Sequence, residues 1–202
     1  MTINDCGPDN ETAGQPIELL KGMPLWANKM PNCRYEPVNV EPREIPLHTV
    51  DFPGAEAFLT YWEDLRADRF APPWQEFDLM ALGGESVSRV LVVDILPEPL
   101  RIKYRFWGTA NTNAKGIDMT GKYLEDFPLV RRSVAREEYL SVIAERRPMA
   151  FTDKLVLPDT DKNDLRLKAA FEQVMIRLPL SNHDESVDHV VSIAHWEKTR
   201  PV

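Results

Sequence analysis

From Ala55 onward the hydrophobic positions of the chain follow two periods in turn. Phe58, Tyr61, Trp62 and Leu65 recur at i, i+3, i+4 and i+7, which predicts a helix with one apolar face and Glu56, Glu63 and Asp64 turned away from it. A second short helix is predicted from Pro73, a residue accepted in a first helical turn, carrying Phe77, Met80 and Ala81 to a stop at Gly83-Gly84. The period then becomes two. Arg89 to Leu96 reads as a β-branched, apolar strand ended by Pro97-Glu98-Pro99. Leu100, Ile102, Tyr104 and Phe106 alternate with Arg101, Lys103, Arg105 and Trp107, the signature of a half-buried strand that forms a hairpin with its predecessor.

Between Thr109 and Pro128 no strand pattern appears, only short helical turns broken by Gly116 and Gly121. Residues 131–147 form a predicted helix with Ala135, Tyr139, Val142 and Ile143 facing inward, closed by Pro148. Three strands follow, at about 149–157, 169–180 and 187–197, and Val174, Ile176, Leu178 and Leu180 share one face of the second. The sum is an α+β domain with one five-stranded antiparallel sheet, helices on one face, and leading helices at its N-terminal side.

Residues 1–50 differ. They hold seven of the 17 prolines, Pro8, Pro16, Pro24, Pro31, Pro37, Pro42 and Pro46, spaced so as to prevent a long helix or a central strand. They are expected to form a partly disordered arm pinned by Trp26, with residues 51–202 as the domain. The 202-residue chain carries a formal net charge of −8, which argues against a nucleic-acid surface. Arg131, Arg132 and Arg136 make the one candidate basic patch, but Glu137 and Glu138 beside them point to a solvated, salt-bridged face. Cys6 and Cys33 belong to no paired-cysteine motif, and reduced thiols in a cytoplasmic protein are expected. The N-terminus has no secretory pattern, and no window reaches the ~18 apolar residues of a membrane span, so no membrane association is expected.

These elements and motifs resemble a PAS domain, more narrowly a family of short bacterial PAS-like proteins containing little besides that domain. The resemblance rests on Tyr61-Trp62-x-x-Leu65, then Tyr104-x-Phe106-x-Gly108-Thr109, then Gly116-x-Asp118-x-Thr120-Gly121-x-x-Leu124. Tyr139, the Arg147-Pro148 step and Leu178-Pro179-Leu180 complete it, over residues 55 to 197. The charged stretch from Asp159 to Lys168 departs from it, being longer than a minimal hairpin turn. The resemblance implies a sensory or regulatory module that acts through a small-molecule ligand or a signalling partner, with no catalysis of its own.

Candidate chemistry is sparse. The Thr109, Asn111, Thr112, Asn113 run could orient a small ligand in an apolar cavity, or could cap turns and bond to local backbone. Tyr104, Phe106 and Tyr139 would line such a cavity or fill it as core. Gly108, Gly116 and Gly121 are read as turns needing positive φ. Of the four histidines, His48, His183, His189 and His195, the last two fall on one strand face about 20 Å apart, too far to share a metal. The helix at 131–147 has no histidine for a haem, and no cysteine lies in the helical segment for flavin adduct chemistry. Asp159 to Asp164 imitates a calcium loop but lacks its glycine and its final glutamate. No cofactor is named by these residues. A homodimer is the expected assembly, and Trp26, Phe58 and Trp62 are candidates for an interaction patch with the core closed. A small enzyme using Asp94 or Asp118 with a histidine is the remote alternative.

Overall fold

The computed structural model describes residues 43–115, 117–126, 129–158 and 167–199. Six strands form one antiparallel sheet: β1 (Arg43–Ile45), β2 (Val90–Pro97), β3 (Leu100–Trp107), β4 (Met149–Pro158), β5 (Leu167–Leu180) and β6 (His189–Thr199). Their spatial order is β1-β4-β5-β6-β2-β3. The helices are α1 (Ala55–Arg66), α2 (Gly84–Arg89), α3 (Thr109–Lys115) and α4 (Leu129–Glu145). The expected five-strand count is therefore short by β1, which arises within the segment read as an arm and pairs with Ala150 to Thr152 of β4.

Helices cover both faces of the sheet, where the pattern had suggested one. On one face α4, with Tyr139 and Val142, packs with Ile117, Met119 and Leu124 over Leu91, Val93, Ile102 and Tyr104. On the other, Phe58 and Trp62 of α1 pack with Phe52 and Phe77 over Val90, Val92, Ile176, Leu178 and Val191. A sheet buried on both sides needs apolar residues at consecutive strand positions, which is why β2 reads Val-Leu-Val-Val and β6 Val-Val-Ser-Ile-Ala. The shared face of Ile176, Leu178 and Leu180 is the α1 face. Burial of Phe58 and Trp62 inside the chain's own core, with the Trp62 indole donating to the Pro179 carbonyl at 2.7 Å, removes both from any interaction patch.

Several boundaries shift for local reasons. The second helix is instead two 3-10 turns, Trp74–Glu76 and Leu79–Leu82, and α2 begins where the stop was expected, after Gly83 at φ 78°. The most consequential change is a bulge in β3. Val92 pairs with Phe106 but Val93 pairs with Tyr104, so Arg105 is an inserted residue. An inserted residue inverts the alternation beyond it. Trp107 therefore joins Tyr104 on the α4 face, and Phe106 packs on the α1 face.

Candidate functional site

Register places one row of side chains across the middle of the α4 face. Trp107 pairs with Leu91, Leu91 with Ser192, Ser192 with Arg177, and Arg177 with Met149. Arg177 stands at the centre of this row, between the α1-facing Ile176 and Leu178, and its side chain is 3% exposed. Above it α4 lowers Glu138, 2% exposed. The Arg177 Nε donates to Glu138 Oε2 at 2.8 Å, Nη2 donates to the same oxygen, and Nη1 donates to Ser192 Oγ at 3.1 Å. The guanidinium also lies 4.0 Å from the Tyr139 ring centroid, a cation–π contact. Tyr104 meets Tyr139 edge-on at 6.5 Å and Trp107 edge-on at 5.0 Å. The expectation that Glu138 sits on a solvated face is thus overturned: it occupies the helical stripe of Ala135 and Val142 because Arg177 requires an anion there.

Burial pushes the Tyr104 hydroxyl well above the usual tyrosine range, with Tyr139 beside it adding to the rise. Burial also raises Tyr139, partly offset by the Arg177 charge. For Arg177 burial opposes the charge, but Tyr139 and Glu138 more than compensate and the group is held cationic. Tyrosines raised in the folded state give stability that is complete below about pH 10, the unfolded value, and is lost as pH rises beyond it. In an alkaline titration, tyrosinate absorbance from these two residues is expected to appear together with loss of helical circular dichroism. The Tyr104→Phe/Tyr139→Phe variant should lose that coincident component.

The other sequence-derived candidates are distributed differently. Phe106 lies on the opposite face from Tyr104 and Tyr139, and Thr109 and Asn113 are exposed. Asn111 is buried, and its Nδ2 donates to the Val90 carbonyl at 3.2 Å, which ties α3 to β2. Of the six, Tyr104 and Tyr139 belong to the core cluster on the α4 face, beside that row. Gly121 has φ 77° as expected, whereas Gly108 answers to space: a Cβ there would lie 2.2 Å from the Ser88 carbonyl oxygen. Gly116, Cys6, Cys33, Trp26 and the calcium-like run fall outside the described residues. Among the described residues no group of three or more His, Cys, Asp or Glu could hold a metal, and no helix is long and apolar enough to cross a membrane.

A second polar cluster sits on the α1 face. His189 Nδ1 lies 2.9 Å from Asp94 Oδ1, and Arg105 Nε donates to that same oxygen at 2.6 Å. Asn182 Oδ1 accepts from the Trp74 backbone at 3.3 Å, so its Nδ2 faces His189 Nε2, also at 3.3 Å. This network assigns the proton to Nδ1 and makes Nε2 an acceptor, the tautomer a general base would have. The acceptor nitrogen is, however, occupied by the Asn182 amide rather than open to a substrate. Asp118 instead accepts from the Thr120 backbone at 2.8 Å, which lowers its pKa and makes it a turn residue. Replacing His189 with alanine is expected to cost about 1–3 kcal/mol by stranding the Asn182 amide. Urea denaturation checks this.

Arg177, Glu138 and Ser192 escaped the sequence reading, although two signals were present. An arginine between Ile176 and Leu178 in a central strand, and a glutamate at i+3 from Ala135 and i−4 from Val142, both break an apolar pattern.

No protein-family model matches the chain, and no curated protein matches it either. Among solved structures, one described as an RNA-binding light-oxygen-voltage receptor aligns with a TM-score of 0.35 and 14% identity, over 80% of this chain and 39% of that one. The chain thus spans well under half the length of that receptor. RNA binding is a property stated of that protein, and the expectation of no nucleic-acid partner here rests on net charge alone.

Proposed function

We propose that the chain is a sensory or regulatory module of PAS type, acting in the cytoplasm without catalysis of its own and delivering its output in trans. The observation that carries this reading is the Arg177–Glu138 pair, a charged tie between sheet and helical cover inside an apolar layer. Two well-packed apolar side chains would hold those layers at least as firmly, because desolvating both ions offsets most of their attraction. A charged tie differs in kind. It makes the attachment of α4 depend on which anion Arg177 meets, and a small ligand or a partner can supply one. The order of elements and the motifs from Tyr61 to Leu180 support the same reading. Native mass spectrometry of the full chain, a thermal-shift panel of metabolites and affinity capture test it. A retained small molecule or a specific partner is the expected result. A bare chain that shifts with no metabolite and captures no protein overturns the proposal.

The second reading, an interaction adaptor with a filled core, draws on the near-complete burial of Tyr104, Met119, Leu124 and Tyr139. Its contacts would then be made at the surface, where Met80, Leu96 and Leu100 are the large apolar side chains exposed among the described residues. Sedimentation should show a dimer weakened by Leu96→Ser and Leu100→Ser. A strict monomer removes the dimer form of this reading.

A further inference from the structure

Resting on the sensory reading, we propose that the α4-covered face binds a small monocarboxylate whose carboxylate takes the place of Glu138 on Arg177 and so releases α4 from the sheet.

The argument starts from an imperfect fork. A guanidinium and a carboxylate fit best when two parallel N–H donors meet two oxygens. Here Nε and Nη2 of Arg177 converge on the single oxygen Oε2, and Oε1 of Glu138 accepts from no described residue. Arg177 has five N–H donors, of which three engage Glu138 and Ser192 among the described residues. The Tyr139 hydroxyl beside it is fully buried and close enough to interact with Tyr104 and Arg177, though with neither in good hydrogen-bond geometry. Among the described residues, the centre of the row thus pairs the guanidinium with one carboxylate through a single oxygen, and that carboxylate is carried on a helix.

An untethered carboxylate has no such restraint and can present both oxygens to the fork. The exchange is neutral in charge: one monoanion enters as another leaves, and no proton moves. A dianion would leave an excess negative charge in a buried layer, and a cation would face Arg177 unpaired. Size follows from what is vacated. Beyond its Cβ, Glu138 contributes one methylene and one carboxylate, so acetate and propionate mark the scale, with Met149 and Tyr139 beside Arg177. The coupling to α4 is direct, because Glu138 is the charged group through which that helix reaches Arg177, the Tyr139 ring being its uncharged contact.

Glu138 competes as a tethered group, at an effective concentration of about millimolar or more, so half-saturation is expected in the millimolar range. The full chain is titrated with sodium propionate at constant ionic strength, followed by hydrogen exchange of α4 peptides and by thermal shift, with propionamide and inorganic phosphate as controls. A saturable rise in α4 exchange with propionate but with neither control is expected. Glu138→Gln should bind propionate about tenfold tighter, because the tethered competitor has lost its charge. Arg177→Met should bind none. Absence of saturable binding to the unaltered chain, or an equal response to propionamide or phosphate, overturns the proposal whether or not the variants fold. A retained neutral metabolite indifferent to Arg177→Met overturns it too, while leaving the sensory reading in place.

Discussion

Glu138→Ala is expected to lower folding stability by about 3–5 kcal/mol, because it leaves the Arg177 guanidinium buried without its counter-ion. The remaining acceptor, Ser192 Oγ at 3.1 Å, carries no charge, and the Tyr139 ring offers a face but no anion. Arg177→Met should be similarly damaging through the stranded carboxylate. The instructive variant is the double replacement Glu138→Leu/Arg177→Met. If the pair acts as a tie whose charge is costly, joining two apolar side chains across the same gap restores most of the loss. Urea denaturation of the three variants gives the cycle directly. A Glu138→Ala loss below about 1 kcal/mol, the range of an exposed ion pair, would mean that water reaches the site.

Gly108→Ala is the second substitution with a large expected effect. The added methyl carbon would lie 2.2 Å from the Ser88 carbonyl oxygen and 2.7 Å from that of Val87. Both are backbone atoms, so no side-chain rotation relieves the contact. Gly108 also donates to the Val90 carbonyl at 2.8 Å, so the strand end cannot withdraw without breaking that bond. A loss of about 3 kcal/mol or more is expected, as for a forced overpacking. Gly121→Ala provides the contrast. Nothing lies within 4 Å of its Cβ position, and only φ at 77° opposes an alanine. That substitution should cost about 1–2 kcal/mol, and equal midpoints for the two variants would refute the steric account.

Much of the architecture was legible in the residues because burial imposes period. The α1 stripe from Phe58 to Leu65, the β2–β3 hairpin bounded by two prolines, and the closing helix ahead of Pro148 all appear close to their expected places. What escaped was set by contacts distant in the chain. The bulge at Arg105 leaves no mark in a run of alternating residues, yet it exchanges the faces of Phe106 and Trp107. Helices on the second face were unforeseen because α1 was read without a surface to cover, although the unbroken apolar runs of β2 and β6 required one. Of the candidate residues, Tyr104 and Tyr139 are buried on the α4 face, and the ion pair beside them left no recognised pattern. Arginine and glutamate are ordinarily solvated, and only the meeting of β5 with α4 makes their burial tolerable.

The outer side of β3 bears on how this protein can assemble. Tyr104 gives its backbone N–H to the Lys122 carbonyl at 2.8 Å and receives the Gly121 N–H at 2.7 Å, with Lys103 bridged to Tyr123 alongside. A short return of the chain thus occupies the middle of the edge that a foreign strand would need. At the opposite border β1 occupies the same role along Ala150 to Thr152. A strand from another molecule would have to peel away one of these native selvedges before it could pair at Tyr104 or along Ala150 to Thr152.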